Sequence, residues 1–184
     1  RMKRLLIACA VGLLLADGAH AAGFETRAAT PAPELKARDL SGAANTLADY
    51  RGKVVLLNFW ASWCPPCLRE MPSMERLRVA MAGRPLAIVA LDSVETPEEV
   101  NAYLSRMKLG FPILLDPDGS NTKRWNVFAL PTTFLLDAEG RIRYVLTGPT
   151  EWDEGEALGV IESLLAELQE QANQNESGRL TPHK

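Results

Sequence analysis

The amino-acid sequence predicts a three-layer α/β fold, in which helices cover both faces of one central sheet. Two nearly continuous apolar runs, residues 53–60 and 85–91, are typical of strands that are buried on both faces. A predicted helix follows each run, and a hairpin and an amphipathic helix come later in the chain. This order of strands and helices is that of an α/β sandwich, and the 47% of apolar residues is enough to fill its core.

The first half of the chain contains a hairpin and two helices besides these strands. Residues 33–52 precede the first buried strand, and we expect them to add a short hairpin at an edge of the sheet. A helix is predicted from Pro65 to about Met81, because apolar residues recur there near helical spacing. A second helix is predicted over residues 96–110, which begin with a threonine cap and a proline and end with glycine.

The second half of the chain contains shorter elements before a final helix. Residues 111–116 are predicted to form a strand, and residues 119–127 a short helix. The apolar segments 132–137 and 141–147 flank the turn sequence Ala-Glu-Gly and predict a β-hairpin. Residues 152–171 have the apolar spacing of an amphipathic helix, which closes the domain.

The first 21 residues have the pattern of a secretory signal peptide. A basic start and a twelve-residue apolar run lead to the small-residue end Ala19-His20-Ala21. Twelve apolar residues fall short of the about 20 that span a bilayer, although an uncleaved anchor stays open as the alternative. We therefore expect residues 1–21 to be removed and the protein to be periplasmic, with one folded domain over 31–170 and a polar disordered tail over 171–184.

Removal of the signal peptide leaves an acidic chain with only two cysteines. Seventeen basic and 22 acidic side chains remain, and no basic patch is left to bind nucleic acid or an anionic membrane. The remaining cysteines are Cys64 and Cys67, in the sequence FWASWCPPCLREMP, and the remaining histidine, His183, lies in the polar tail. Export implies an oxidising compartment, in which adjacent cysteines otherwise form a disulfide.

The two cysteines lie where the first buried strand meets its helix, at the strand end where α/β sheets bind ligands. Residues three apart at the start of a helix lie nearly over one another, which brings their Cα atoms within disulfide range. The helix N-terminus stabilises a thiolate. We therefore expect thiol–disulfide exchange, with Cys64 as the attacking thiol and Cys67 as the resolving one.

Other uses of the cysteine pair are less consistent with the sequence. Structural zinc needs four ligands, and the mature chain has neither a second cysteine pair nor a histidine in its body. A structural disulfide across so short a loop removes little entropy from the unfolded chain. Copper(I) bound by the two thiolates alone stays possible, because soft sulfur ligands suit it. We expect no resident cofactor.

The motifs together resemble the thioredoxin superfamily and, within it, the exported TlpA/ResA-like thiol–disulfide reductases. The resemblance covers about Pro31 to Leu168 and rests on RGKVVLLNFWASWC, WCPPC, CLREMP and LPTTFLLDAEGRI. It implies a thioredoxin fold, a central mixed sheet flanked by helices, with an N-terminal β-hairpin extension. The segment from about Glu95 to Asp116 is similar to the helix and strand that this subfamily inserts into the thioredoxin core.

The resemblance also implies roles for residues around the disulfide. Pro131 would be a cis-proline that faces it, and the Leu130 backbone would pair with an extended substrate chain. Trp63 would cover the disulfide, although an aromatic residue beside a strand is as often a packing residue. Ordinary thioredoxins carry a buried aspartate where this sequence has Asn58.

Glu70 is the remaining candidate for the site. It follows Cys67 by three residues and therefore lies on the same face of the predicted helix. TlpA/ResA-like proteins carry a functional glutamate at this position, whereas most glutamates on helices are solvated surface residues. The lack of a carboxylate at Asn58, together with the Cys67–Glu70 spacing, favours the functional interpretation.

The function that the resemblance implies is the reduction of disulfides in client proteins. Electrons would come from a membrane reductase of the DsbD or CcdA type. The clients would carry cysteine pairs, either the heme-binding pair of an apocytochrome c or a copper-site pair. A disulfide-forming oxidant and a copper(I) delivery module stay open as alternatives. The sequence lacks the Cys-x-x-x-Cys motif with a partner histidine that is typical of Sco-type copper proteins. It also lacks the Thr-x-x-Cys motif with an arginine that is typical of peroxiredoxins.

Overall fold

The computed structural model describes residues 23–179, so the predicted signal peptide, residues 1–21, and its cleavage site lie outside the described residues. The strands are β1 (Glu25–Pro31), β2 (Lys36–Asp39), β3 (Ala44–Thr46), β4 (Val54–Trp60), β5 (Leu86–Ser93), β6 (Ile113–Asp116), β7 (Thr132–Leu136) and β8 (Arg141–Thr147). The α-helices are α1 (Pro65–Ala80), α2 (Pro97–Leu104), α3 (Ser120–Arg124) and α4 (Gly155–Arg179). Every strand and helix that the sequence predicts is present.

The strands form one mixed sheet in the order β1-β8-β7-β4-β5-β6-β2-β3. β4 and β5 are parallel, as are β5 and β6, and the other neighbours are antiparallel. The hairpin predicted over residues 33–52 is β2–β3, which joins β6 at one edge. β1, which pairs with β8 at the other edge, was not predicted, because its side chains are nearly all exposed and no apolar run marks it.

Two hydrophobic cores fill the space on either side of the sheet. Side chains of successive β4 residues point to opposite faces, as the pleat requires. Leu56 packs in one core with Met74 of α1 and Ile161 of α4. Leu57 packs in the other core with Trp125, which follows α3. This arrangement confirms the three-layer α/β sandwich.

Two predicted helix boundaries are wrong. α2 ends at Leu104 rather than near Gly110, because the following residues are drawn toward α1, where the Gly110 N–H donates to Glu75 Oε2 at 2.8 Å. The polar tail predicted to be disordered from residue 171 is helical as far as Arg179. No proline or glycine interrupts it before Gly178, and its glutamine and glutamate residues are good helix formers. Residues 180–184 lie outside the described residues.

No helix within residues 23–179 combines the length and the apolar character that crossing a membrane requires.

Candidate active site

The cysteine pair lies in the short connection from β4 to α1. β4 ends at Trp60, and Cys64 is the N-cap residue of α1, so that Cys67 lies one turn inside the helix. The backbone N–H of Cys64 donates to the Ala61 carbonyl at 3.2 Å, which tightens the connection. The two sulfurs form a disulfide, with the Cα atoms 5.3 Å apart. The predicted disulfide-forming pair is confirmed.

Cys64 is the outer of the two cysteines, with 5% of its surface exposed, whereas Cys67 is fully buried. The Sγ of Cys64 accepts one backbone N–H, from Cys67 at 3.4 Å. Pro65 and Pro66 occupy the first two helical positions and have no N–H to donate. A Cys64 thiolate therefore has fewer backbone donors than the N-terminus of a helix normally supplies.

An apolar groove of about 460 Å³ opens beside Cys64. Trp63 forms part of its wall and is 66% exposed, so it is not a packing residue of the core. Val94 and Phe128 also line the groove and are 62% and 87% exposed. Sequence patterns did not single out Val94 and Phe128, because one apolar residue in a loop gives no sign of its exposure.

Leu130 and Pro131 lie on the loop before β7. Leu130 lines the same groove as Cys64. The peptide bond between Leu130 and Pro131 is cis, as the resemblance implied, and Pro131 is buried. The structure therefore brings Trp63, Cys64 and Leu130 to one groove, and Pro131 is joined to Leu130 by the cis peptide bond.

Glu70 is buried, with 1% of its surface exposed, so it is not a solvated helix residue. Three donors surround its carboxyl group. Asn58 Nδ2 donates to Oε1 at 2.7 Å, and the indole Nε1 of Trp152 and the backbone N–H of Thr150 donate to Oε2 at 3.2 and 3.3 Å. The carboxyl group is thus held in one orientation on the buried face of α1, which it shares with Cys67.

Burial raises the pKa of Glu70 to about 7. The hydrogen bonds from Asn58, Thr150 and Trp152 lower this pKa and so offset part of the effect of burial. Glu70 therefore exchanges its proton close to neutral pH, unlike an exposed glutamate with a pKa of about 4.3. A group with such a pKa can serve as a base for a buried thiol.

Asn58 holds Glu70 in place from the sheet. Its Nδ2 donates to Thr133 Oγ1 at 2.8 Å as well as to Glu70, so the amide bridges β7 and α1. Its Oδ1 is buried without a hydrogen-bond partner among the described residues. The sequence showed that Asn58 cannot accept a proton, and the structure adds that it orients the group that can.

Besides Glu70, a pair of buried carboxyl groups lies next to the connection that leads to Cys64. Asp92 is the last residue but one of β5 and is fully buried, and Glu95 precedes α2 and is 6% exposed. Glu95 accepts hydrogen bonds from the Ser62 backbone N–H at 2.6 Å and from the Ser62 hydroxyl. Burial, followed by the hydrogen-bonding neighbour Glu95, raises the pKa of Asp92 to about 9. Sequence patterns did not reveal this pair.

Comparison with known proteins identifies the family. Residues 28–145 match the AhpC/TSA family. The thiol–disulfide oxidoreductase ResA of Bacillus thuringiensis subsp. konkukian (strain 97-27) is 37% identical over 149 residues, which cover 80% of this chain and 86% of that protein. This chain belongs to the AhpC/TSA family, among the ResA-type thiol–disulfide oxidoreductases.

A thioredoxin-like protein and a thiol:disulfide interchange protein are also similar to this chain. The thioredoxin-like protein YneN of Bacillus subtilis (strain 168) is 45% identical over 120 residues, which cover 64% of this chain and 69% of that protein. The crystal structure of a thiol:disulfide interchange protein from Chlorobium tepidum TLS superposes with a TM-score of 0.63 at 27% identity, covering 77% of this chain and 99% of that one. The thioredoxin fold and the oxidoreductase activity expected from the resemblance are confirmed.

As a ResA-type oxidoreductase, the chain carries its chemistry on the Cys64–Cys67 pair. Within residues 23–179, no three or more His, Cys, Asp or Glu side chains are grouped to hold a metal ion. Each of Cys64, Cys67, Glu70, Trp63 and the Leu130–Pro131 loop has an individual role in the exchange reaction that the sequence predicts. These roles form part of the function that we propose.

Proposed function

We propose that the protein is exported to the periplasm and reduces disulfide bonds in client proteins. The clients carry cysteine pairs, as in the heme-binding site of an apocytochrome c or the copper site of an oxidase. A membrane reductase of the DsbD or CcdA type returns electrons to the Cys64–Cys67 disulfide. The proposal rests on the oxidoreductase family, on the signal-peptide pattern of residues 1–21 and on the surroundings of Cys64.

The direction of electron flow is supported by the donors at Cys64 Sγ, which within residues 23–179 are limited to the backbone N–H of Cys67. A dithiol protein becomes an oxidant when its reduced form, with a thiolate at the outer cysteine, is strongly stabilised. Here two prolines remove the first two N–H groups of α1, and the remaining contact from Cys67 is 3.4 Å long. Weak stabilisation of the Cys64 thiolate favours the disulfide form and makes the dithiol a reductant.

The exchange proceeds in two steps. In the first, the Cys64 thiolate attacks one sulfur of the client disulfide, and the client's other sulfur leaves as a thiolate. In the second, Glu70 accepts the proton of the Cys67 thiol, directly or through a water, and Cys67 attacks the Sγ of Cys64. The client leaves as a dithiol, and two electrons have passed from the protein to the client. The membrane reductase then supplies two electrons to restore the dithiol.

The groove beside Cys64 binds the client chain. An extended segment pairs with the Leu130 backbone next to Pro131, and its apolar side chains contact Trp63. The groove is apolar and exposed, which suits a client whose cysteines lie in an unfolded or partly folded chain.

The reduction potential tests the proposed direction. After equilibration of the mature protein with glutathione buffers, we expect a potential below about −230 mV, toward the range of thioredoxin. A potential near about −120 mV, where strong periplasmic oxidants lie, would show that the protein forms disulfides instead. Tight copper(I) binding by a dithiol that does not exchange with disulfides would favour the copper-delivery alternative.

Export is tested by the N-terminus of the periplasmic protein, which should be Ala22, and retained Met2 would indicate an uncleaved anchor.

A further inference from the structure

The loop between β4 and Cys64 is held by hydrogen bonds to Glu95, which forms an acidic pair with Asp92. The exchange mechanism does not use this pair. Glu95 holds Ser62 at two points, its backbone N–H and its hydroxyl, and Ser62 lies two residues before Cys64. Both hydrogen bonds are donated by Ser62, so Glu95 acts as an acceptor at both points. An ionised Glu95 satisfies this geometry, since a carboxylate offers only acceptors.

Asp92 lies beside Glu95 but differs from it in its hydrogen bonds and in its protonation. It is fully buried, and neither of its oxygens accepts a hydrogen bond within residues 23–179. An ionised carboxylate in such a place would be desolvated without compensation, which is costly. A protonated carboxyl group can instead donate to the adjacent Glu95. Burial raises the pKa of Asp92 most, the carboxyl groups of Glu95 and Glu99 raise it further, and the nearby backbone N–H of Glu95 lowers it.

We propose that Asp92 and Glu95 form a carboxylic acid–carboxylate pair, with the proton on Asp92, which fixes the loop before Cys64 and keeps one negative charge behind it. This charge destabilises the Cys64 thiolate and therefore favours the disulfide form of the protein. Asp92 and Glu95 are positioning residues, because they act on Cys64 through Ser62 and through the electrostatic field rather than by contact with the sulfurs. The inference deepens the proposed reductant function and rests on it.

The pair links the active site to the segment that follows β5. Glu95 begins this segment, which contains α2 and β6, while Ser62 belongs to the loop after β4. The two are 33 residues apart in the chain, so their contact is made by the fold and not by local sequence. The same two hydrogen bonds hold the loop and locate the charge, and the test must separate these two effects.

The test uses the mature protein, in which Cys64 and Cys67 are the only cysteines, so that alkylation reports directly on them. The pKa of the Cys64 thiol is measured from the pH dependence of alkylation. The equilibrium constant is measured against glutathione. The variants are Glu95→Gln, Asp92→Asn and Ser62→Ala, and Glu98→Gln is the matched control, because it removes one acidic charge from an exposed position of the same segment.

We expect Glu95→Gln to lower the pKa of Cys64 by about one unit, since a unit charge several ångströms away contributes on that order. The equilibrium constant should shift about threefold to tenfold toward the dithiol, which is about 15–30 mV for two electrons. Asp92→Asn should leave both quantities unchanged within about twofold, because a neutral amide donates to Glu95 as a protonated carboxyl does. Ser62→Ala, which keeps the charge and the backbone hydrogen bond from residue 62 to Glu95, and Glu98→Gln should also leave them unchanged.

Two outcomes would overturn the inference. An unchanged Cys64 pKa in folded Glu95→Gln would show that the charge does not act on the thiolate. A lowered Cys64 pKa in Asp92→Asn would show that Asp92 is ionised; this near-isosteric variant decides the matter even if Glu95→Gln fails to fold. The potential of the unmutated protein tests the reductant function separately, because the inference concerns only differences between variants.

Discussion

Glu70 and Asp92 are both buried carboxyl groups near the redox disulfide, yet their surroundings differ. Each has at most 1% of its surface exposed. Glu70 accepts three hydrogen bonds, from a side-chain amide, an indole and a backbone N–H. Asp92 accepts none within the described residues and has an acidic neighbour instead. Burial raises both pKa values, to about 7 for Glu70 and about 9 for Asp92.

The difference shows that donors, more than depth, decide what a buried carboxyl group can do. Three donors bring the pKa of Glu70 back to the range where it can take up and release a proton during turnover. Burial and the acidic neighbour Glu95 keep the pKa of Asp92 high, so Asp92 stays protonated at neutral pH and serves as a fixed hydrogen-bond donor. The exchange site thus has one carboxyl group that titrates near neutral pH and one that does not.

The largest effect on turnover is expected from removal of the Cys67 thiol, whose proton Glu70 accepts. Cys67→Ala should retain attack by Cys64 and lose release, so that mixed disulfides with clients accumulate and turnover falls by at least about 10³-fold. Client capture on non-reducing gels and a steady-state reductase assay measure this. Cys64→Ala is the matched variant. If Cys64→Ala trapped clients and Cys67→Ala did not, the roles of the two thiols would be reversed, and Glu70 would lie beside the attacking thiol.

Removal of one of the hydrogen-bond donors that contact Glu70 tests whether these donors keep its pKa below that of Asp92. Trp152→Phe deletes the indole N–H that contacts Oε2 but keeps an aromatic ring in the core. A hydrogen bond to a charged group contributes about 1.5–3 kcal/mol, so the pKa of Glu70 should rise by about one unit or more. Resolution at pH 7 should then slow about fivefold and recover by about pH 9.

Trp125→Phe is the matched control for this change, because Trp125 is equally buried on the opposite face of the sheet and donates to the Glu34 carbonyl. It should leave the pH profile in place. Equal shifts in the two variants would mean that general loosening of the core, and not the lost donor, moves the profile.

A change in the groove should leave both carboxyl groups unaffected. Trp63 is 66% exposed, so Trp63→Ala should change the free energy of unfolding by less than about 0.5 kcal/mol. We expect KM for a client peptide to rise about threefold to tenfold, as loss of an aromatic contact implies, while the pH profile stays the same. A shifted pH profile would indicate that Trp63 also shields Glu70 or Cys64 from water.

The smallest effect on turnover is expected from Asp92→Asn. This variant should instead change the stability of the fold. A raised pKa means that the folded protein binds a proton that the unfolded chain has released at neutral pH, so stability falls as pH rises from about 4 to about 9. Asp92→Asn removes this penalty. Thermal unfolding should show a Tm increase of at least about 2–4 °C at pH 8 and almost none at pH 4. A lower Tm at pH 8 would show that ionised Asp92 stabilises the fold.

The cysteine site could be predicted because local spacing determines it. Cys64 and Cys67 are three residues apart at the start of a helix, and the start is marked by the end of an apolar strand and by two prolines. Glu70 could be placed on the same face by the same rule. The absence of a carboxylate at Asn58 pointed toward Glu70, although the hydrogen bond between them depends on how α1 packs against the sheet.

Asp92 could not be predicted, because an aspartate at the end of an apolar strand usually faces solvent. Its burial follows from the turn that places Glu95 over the end of β5 and against Ser62, a contact between residues far apart in the chain. β1 was missed for the opposite reason. Its strand is made by pairing with β8 at the sheet edge, and its exposed side chains carry no periodic pattern.

Glu70→Gln tests the central claim, that Glu70 is the base for Cys67. The variant should fold, because Asn58 can turn its amide so that the unpaired Oδ1 accepts from the new Gln N–H group and from the Thr133 hydroxyl. The side-chain oxygen of the glutamine can then still accept hydrogen bonds from the Trp152 indole N–H and the Thr150 backbone N–H. Attack by Cys64 should be unchanged.

The decisive measurement is the rate of the Cys67-dependent step between pH 5.5 and 9 in the native protein and in Glu70→Gln. The native rate should rise through a pKa of about 7, and the variant should be about 10²-fold slower between pH 7 and 8. The deficit should shrink toward pH 9, where Cys67 ionises without help. Superimposable profiles would contradict the account and leave Glu70 as a buried structural residue.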